Sequence, residues 1–95
     1  MNKILIIEDD LEINALLADF LKEKGYAVHC QYDGLHVLDF LNKEKIDLII
    51  LDIMLPYRSG DIILSDVRKK FTIPVIIISA KETTPVSYTH LTLPT

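Results

Sequence analysis

The sequence predicts an α/β domain built as an open, doubly wound parallel sheet with helices on both faces. Two patterns and one bulk property point there. Short β-branched apolar runs alternate with longer amphipathic stretches in the order βαβαβαβ, which implies parallel strands joined by right-handed helical crossovers. The first, third and fourth runs are apolar on both faces, as strands covered on both sides must be. The chain has 95 residues, 49% of them apolar and 25% charged, which suits one globular core and is too short for two.

Each element has its own signal. Lys3 to Ile7 is the first strand, and the acids Glu8, Asp9 and Asp10 follow it. Leu11, Ile13, Leu16, Leu17, Phe20 and Leu21 recur at helical spacing, and Gly25 after Lys22 and Lys24 is a helix stop. Residues 26–31, YAVHCQ, alternate loosely and read as the second strand, and Asp33-Gly34 marks a turn. Leu35, Val37, Leu38 and Leu41 mark a second helix that ends near Lys43 to Lys45. Ile46 to Leu51 reads as the third strand, apolar apart from Asp47. The loop DIMLPYRSG leads to a third helix from about Asp61 to Lys70, with Ile62, Ile63, Leu64 and Val67 as its apolar positions. Pro74 opens the fourth strand, PVIIIS.

Residues 85–95, PVSYTHLTLPT, have no helical period and hold three threonines and two prolines. A fourth helix is expected after Lys81, and this segment suits one poorly. VSYTHLTLPT also looks like a translated sequencing-library adapter. The expected division is therefore residues 1–84 as a partial domain and 85–95 as a non-native tail, left out of the fold. On that division the sheet stops after its fourth strand, and the apolar edge of that strand is bare and prone to dimerise or aggregate.

Charge and composition narrow the function. A net charge of −4 argues against a nucleic-acid or anionic-membrane surface. Cys30 is the single cysteine, so an internal disulfide and a cysteine-rich zinc site are excluded, in keeping with a cytoplasmic setting. No apolar run approaches the roughly 18 residues of a membrane span. His29, His36 and Cys30 have no metal-ligand spacing. Arg68, Lys69 and Lys70 read as cations at a helix C-terminus rather than as a phosphate patch. Tyr57, Arg58 and Ser59 lie on the loop beside the strand-end acids, and Gly60 is expected to permit the turn into the third helix.

The informative acids stand at strand ends. In open α/β sheets the functional crevice lies beyond the carboxyl ends of the strands. The first strand ends at Glu8, Asp9 and Asp10, and the third runs LIIL straight into Asp52. If those strands are neighbours, carboxylates converge at a cost unless a cation neutralises them. Magnesium needs only one or two carboxylates and can neutralise phosphate oxygens during transfer. Asp52 is then a candidate phosphoryl acceptor, and Ser79, at the end of the fourth strand, could bond a phosphoryl oxygen there. A plainer reading is that these acids cap helices. It is favoured for Asp10, and for Glu8 and Asp9 taken singly it is even with metal binding.

KILIIEDD, LIILDIMLP with SG soon after, and PVIIISAK together resemble the receiver domain of bacterial two-component response regulators over residues 2 to about 84. The resemblance implies a flavodoxin-like fold with strand order 2-1-3-4-5. It implies that Asp52 takes phosphate from a sensor histidine kinase and that the protein turns over no external metabolite. Asp9 would bind Mg²⁺ directly, Glu8 mainly through water, and Met54 through its backbone carbonyl, with Ser79 as the switch hydroxyl. LDIMLP and SAK look most like regulators with a winged-helix DNA-binding domain, so DNA would be a partner only through an output domain absent here. On that resemblance, most of helix 4 and all of strand 5 and helix 5 of a receiver, with the lysine that ends strand 5, are expected to be lacking from residues 1–84. Two alternatives stand beside this: an interaction module that takes no phosphate, and an Asp-nucleophile phosphatase. The phosphatase is disfavoured because the residue two places after Asp52 is Met54 and not an acid.

Overall fold

The computed structural model describes residues 2–53, 55, 59–78 and 89–92. Its elements are β1 (Lys3–Ile7), α1 (Leu11–Glu23), β2 (Ala27–Gln31), α2 (Val37–Lys43), β3 (Leu48–Asp52), α3 (Gly60–Lys70), β4 (Val75–Ile78) and β5 (Thr89–Thr92). They form one sheet in the order β2-β1-β3-β4-β5. β1 pairs in parallel with β2 and β3, and β3 in parallel with β4, as the alternating pattern requires. β3 starts two residues later than its apolar run suggests and takes in Asp52 as its last residue.

Alternation along each strand divides the core into two layers. Leu5, Ile7, Ile49, Leu51 and Val75 point to one face, where Val37 and Leu41 of α2 and Ile63 and Val67 of α3 cover them. Ile4, Ile6, Ile50 and Ile76 point to the other, against Leu17, Ala18 and Leu21 of α1. Among the described residues, one helix on one face and two on the other make the sheet doubly wound. Each fully buried aliphatic side chain contributes roughly 1.5–3 kcal/mol by leaving water.

Local chemistry sets the element ends. Asp10 caps α1, its carboxylate accepting from the N–H groups of Glu12 at 3.0 Å and Ile13 at 3.2 Å. Gly25, at φ 96°, ends that helix in a conformation that side chains resist. The Asp33 carboxylate accepts from Leu35 N–H at 3.0 Å, which closes the expected turn before α2. Ser59 caps α3. The cations in the last turn of α3 suit its dipole, and Arg68 reaches further, donating to the Ile73 carbonyl at 2.6 Å ahead of β4.

Three expectations are corrected. Leu11, Leu16 and Phe20 belong to the apolar pattern of α1, yet they are 67%, 70% and 57% exposed. The buried face of α1 instead carries Asn14 and Ala18. Leu35 precedes α2 and Ile62 lies in its successor's first turn, and both are exposed. The outer edge of β4 is not bare: β5 pairs with it antiparallel, Val75 opposite Thr92 and Ile78 opposite Thr89. The strand lies within the tail excluded on sequence grounds. Its threonines, poor for a helix, suit an extended strand. The helix expected after Lys81 falls outside the described residues.

Candidate acidic metal site

The site grows out of the register of β1 and β3. Ile7 stands opposite Leu51, so the next residue on each strand, Glu8 and Asp52, emerges at the same end of the sheet. Glu8 N–H donates to the Gln31 carbonyl at 3.0 Å, which carries the β1–β2 ladder one step past the last strand residue. At Asp10 the chain turns into α1, with Asp10 N–H donating to Glu8 Oε2 at 3.1 Å. Asp9 is thus held between a strand end and a capped helix.

Carboxylate oxygens of Glu8, Asp9 and Asp52 all lie within 4.8 Å of one another. Glu8 and Asp52 are fully buried and Asp9 is half-buried. Three like charges so close in a dry pocket are unfavourable. Burial first, then hydrogen bonds that its protonated carboxyl makes to Asp52 and Asp9, push Glu8 up to about 8. The bond from Asp10 N–H opposes this in part. The arrangement either keeps a proton on Glu8 or takes up a cation. All donors are hard oxygens, some waters could complete the sphere through half-buried Asp9, and the set fits magnesium better than a softer metal.

Ile53 and Gly60, the residues next to Asp52 and at the start of α3, pack closely behind Asp52. Ile53 N–H donates to the Ile78 carbonyl at 3.2 Å, and Gly60 N–H to the Ile53 carbonyl at 2.9 Å. A Cβ on Gly60 would stand 2.5 Å from Ile53 Cα and 2.8 Å from the Asp52 carbonyl oxygen. Gly60 is therefore needed for close backbone approach, not for a left-handed turn, since only Gly25 among the described residues has positive φ.

Glu8, Asp9 and Asp52, expected together from sequence, are together. Asp10 caps the helix, as expected. Glu8 accepts a bond at that helix start and also lies among the pocket carboxylates, a placement compatible with either reading. Met54 and Ser79 lie outside the described residues, as do Tyr57 and Arg58. His29 packs against Phe40 of α2, ring centroids 5.1 Å apart, and Cys30 packs on the opposite face with α1, where burial pushes its thiol up. Among the described residues no group of three metal-ligating side chains gathers except Glu8, Asp9 and Asp52. Sequence reasoning missed Asn14. Its signal was a polar residue four places before Ala18 on what proves the buried face of α1.

Fold and pocket define a class: an α/β domain that gathers carboxylates at the carboxyl ends of two adjacent parallel strands. The chain matches the family model of the response regulator receiver domain over residues 4–93, and it belongs to that family. It is similar to the response regulator TrrA of Thermotoga maritima, solved in complex with Mg²⁺-BeF, at 36% identity and TM-score 0.70, covering 74% of this chain and 61% of that one. It is similar to the BeF3-activated N-terminal receiver domain of RstA from Klebsiella pneumoniae, at 34% identity and TM-score 0.76 over 80% of this chain and 65% of that one. It is also similar to the receiver domain of Francisella response regulator 1452, at 33% identity and TM-score 0.79, with 88% and 70% covered. The chain thus spans 61% of TrrA and 65% of the RstA domain.

Proposed function

We propose that this chain is the phospho-accepting part of a two-component response regulator, with Asp52 as acceptor and Glu8, Asp9 and Asp52 as the side chains that hold Mg²⁺. The observation that carries the reading is the approach of these three carboxylates within 4.8 Å, two of them fully buried. The Mg²⁺-BeF complex of TrrA supports the choice of ion. When bound, the ion neutralises charge on the pocket and on the incoming phosphoryl oxygens.

An Asp52 carboxylate oxygen attacks the phosphorus of a phosphohistidine on a sensor kinase or of a small acyl phosphate. A new O–P bond forms, and the old bond from phosphorus to the donor breaks, its electron pair leaving with the donor. β3 holds Asp52 on a rigid strand end, so little ordering is left for the transfer step. Glu8 and Asp9 would supply the negative charge that keeps the ion beside it. On the family resemblance, the backbone carbonyl of Met54 would complete the ion's protein ligands, and the Ser79 hydroxyl would donate a hydrogen bond to a phosphoryl oxygen on Asp52. The reaction modifies the protein itself and consumes no external metabolite beyond the donor. LDIMLP and SAK favour a parent protein with a DNA-binding output domain, acting in transcription in the cytoplasm.

The test is phosphorylation of the purified chain with Mg²⁺ and a small acyl phosphate, against Asp52→Asn. An acid-stable, hydroxylamine-labile phosphate on the wild type alone is expected. No label on a folded sample would leave an interaction module, and multiple turnover of an external phosphoester would make the protein an enzyme.

A further inference from the structure

We infer that Asn14 is a positioning residue for the acidic pocket, clamping the β1–α1 turn through two backbone carbonyls. The inference rests on the metal-site reading above and adds to it a residue that touches neither ion nor phosphate. Asn14 Nδ2 donates to the Glu8 carbonyl at 3.0 Å and to the Gln31 carbonyl at 3.2 Å. The Gln31 carbonyl also accepts Glu8 N–H at 3.0 Å. One side chain thus ties α1 to the last residue of β2 and to the backbone of a pocket acid, immediately before Asp9.

The burial of Asn14 argues that these bonds serve the pocket. The residue is 1% exposed, on the α1 face that otherwise packs Leu17, Ala18 and Leu21 against Ile4, Ile6 and Ile50. Burying an amide is unfavourable unless it is bonded, and its Oδ1 has no hydrogen-bond partner among the described residues. An apolar residue of similar shape would avoid that cost. What it would lose is the clamp. The β1–α1 turn must hold Glu8 and Asp9 in place against mutual repulsion, and residues that orient metal ligands commonly change affinity 10–100-fold when removed.

The experiment measures Mg²⁺ affinity by calorimetry, and amide hydrogen exchange of the metal-free protein, for wild type, Asn14→Leu and Leu21→Ala. Leu21→Ala loosens the same helix without touching the turn. Asn14→Leu is expected to weaken Mg²⁺ binding about 10–100-fold. It is also expected to speed exchange at Glu8 N–H relative to Leu5 N–H within the same strand. Leu21→Ala should leave both nearly unchanged. Should Asn14→Leu not fold, Asn14→Asp keeps the shape, replaces the donor by an acceptor and is expected to lose at least as much. Wild-type affinity in a folded Asn14 variant overturns the inference alone, as does an equal loss in Leu21→Ala. A wild type that binds no Mg²⁺ overturns the metal-site reading and this inference with it.

Discussion

Glu8 makes a stability prediction whose sign is unusual for a surface-rich acidic protein. Its carboxyl is fully buried and pushed from an ordinary 4.5 to about 8. In the unfolded chain it ionises near its ordinary value, so between about pH 4.5 and 8 the folded state holds a proton that the unfolded state has released. Stability from this group is full below the lower value and declines as pH rises to the upper one, then levels off. A tenfold change in proton affinity corresponds to about 1.4 kcal/mol, so the full decline is on the order of 3–5 kcal/mol. That is a large share of a typical domain's stability of about 5–15 kcal/mol.

The assay is urea unfolding of wild type and Glu8→Gln from pH 5 to 9, first in EDTA and then in Mg²⁺. Glutamine keeps an acceptor for Asp10 N–H and cannot ionise, so the difference between the two proteins isolates the Glu8 titration from every other group. In EDTA the wild type should lose stability relative to Glu8→Gln as pH rises toward 8. With Mg²⁺ the ionised pocket becomes the binding form, and saturation at 100 times Kd should restore about 2.7 kcal/mol to the wild type at high pH. A wild-type minus Glu8→Gln difference that stays flat from pH 5 to 8 would refute the claim that the three carboxylates share one dry pocket.

Gly60→Ala should cost about 1–3 kcal/mol in denaturant melts, as overpacking typically does, and should weaken Mg²⁺ binding, because the clash is with the backbone of Asp52 and Ile53. Leu16→Ser should change stability by less than about 0.5 kcal/mol, whereas Ile63→Ala should cost about 2–5 kcal/mol, as read by urea midpoints. A chain ended at residue 84 lacks β5 and leaves the β4 edge unpaired, so sedimentation should show concentration-dependent association that the full chain lacks.

Strands β1, β3 and β4 were legible because burial on both faces writes itself as an unbroken apolar run. The pocket was legible for a related reason: acids that interrupt such runs at strand ends have nowhere to go but the end of the sheet. Helix α1 was read less well. Its apolar residues spread around more than half the helix, and periodicity alone does not say which face turns inward. The structure turns in Ala18 and Asn14, and leaves Leu16 and Phe20 outside, with Lys24 lying over the Phe20 ring at 5.3 Å. The buried stripe includes the polar Asn14, which an apolar period does not mark. β5 was missed because residues 85–95, poor for the expected helix, were set aside as a non-native tail, while the same β-branched residues favour pairing with an open strand edge.

The acidic pocket follows from the sheet rather than from any local motif. Glu8 and Asp52 are 44 positions apart, and nothing in either neighbourhood names the other. Each apolar run must be covered on both faces, which requires helical crossovers, and the crossovers make the strands parallel. Parallel strands end together, so carboxylates placed just after two adjacent strands meet whatever the loops between them do. In an antiparallel pairing of β1 with β3 the same two acids would lie at opposite ends of the sheet, some five residues of about 3.3 Å each apart. Register then sets the remaining geometry. With Ile7 opposite Leu51, a slip of one residue in β3 would turn Asp52 to the other face and bring Ile50 and Leu51 out of their core layers. The apolar packing that stabilises the sheet is thus also what holds three carboxylates together, and the cost of ionising all of them is what a divalent cation would relieve.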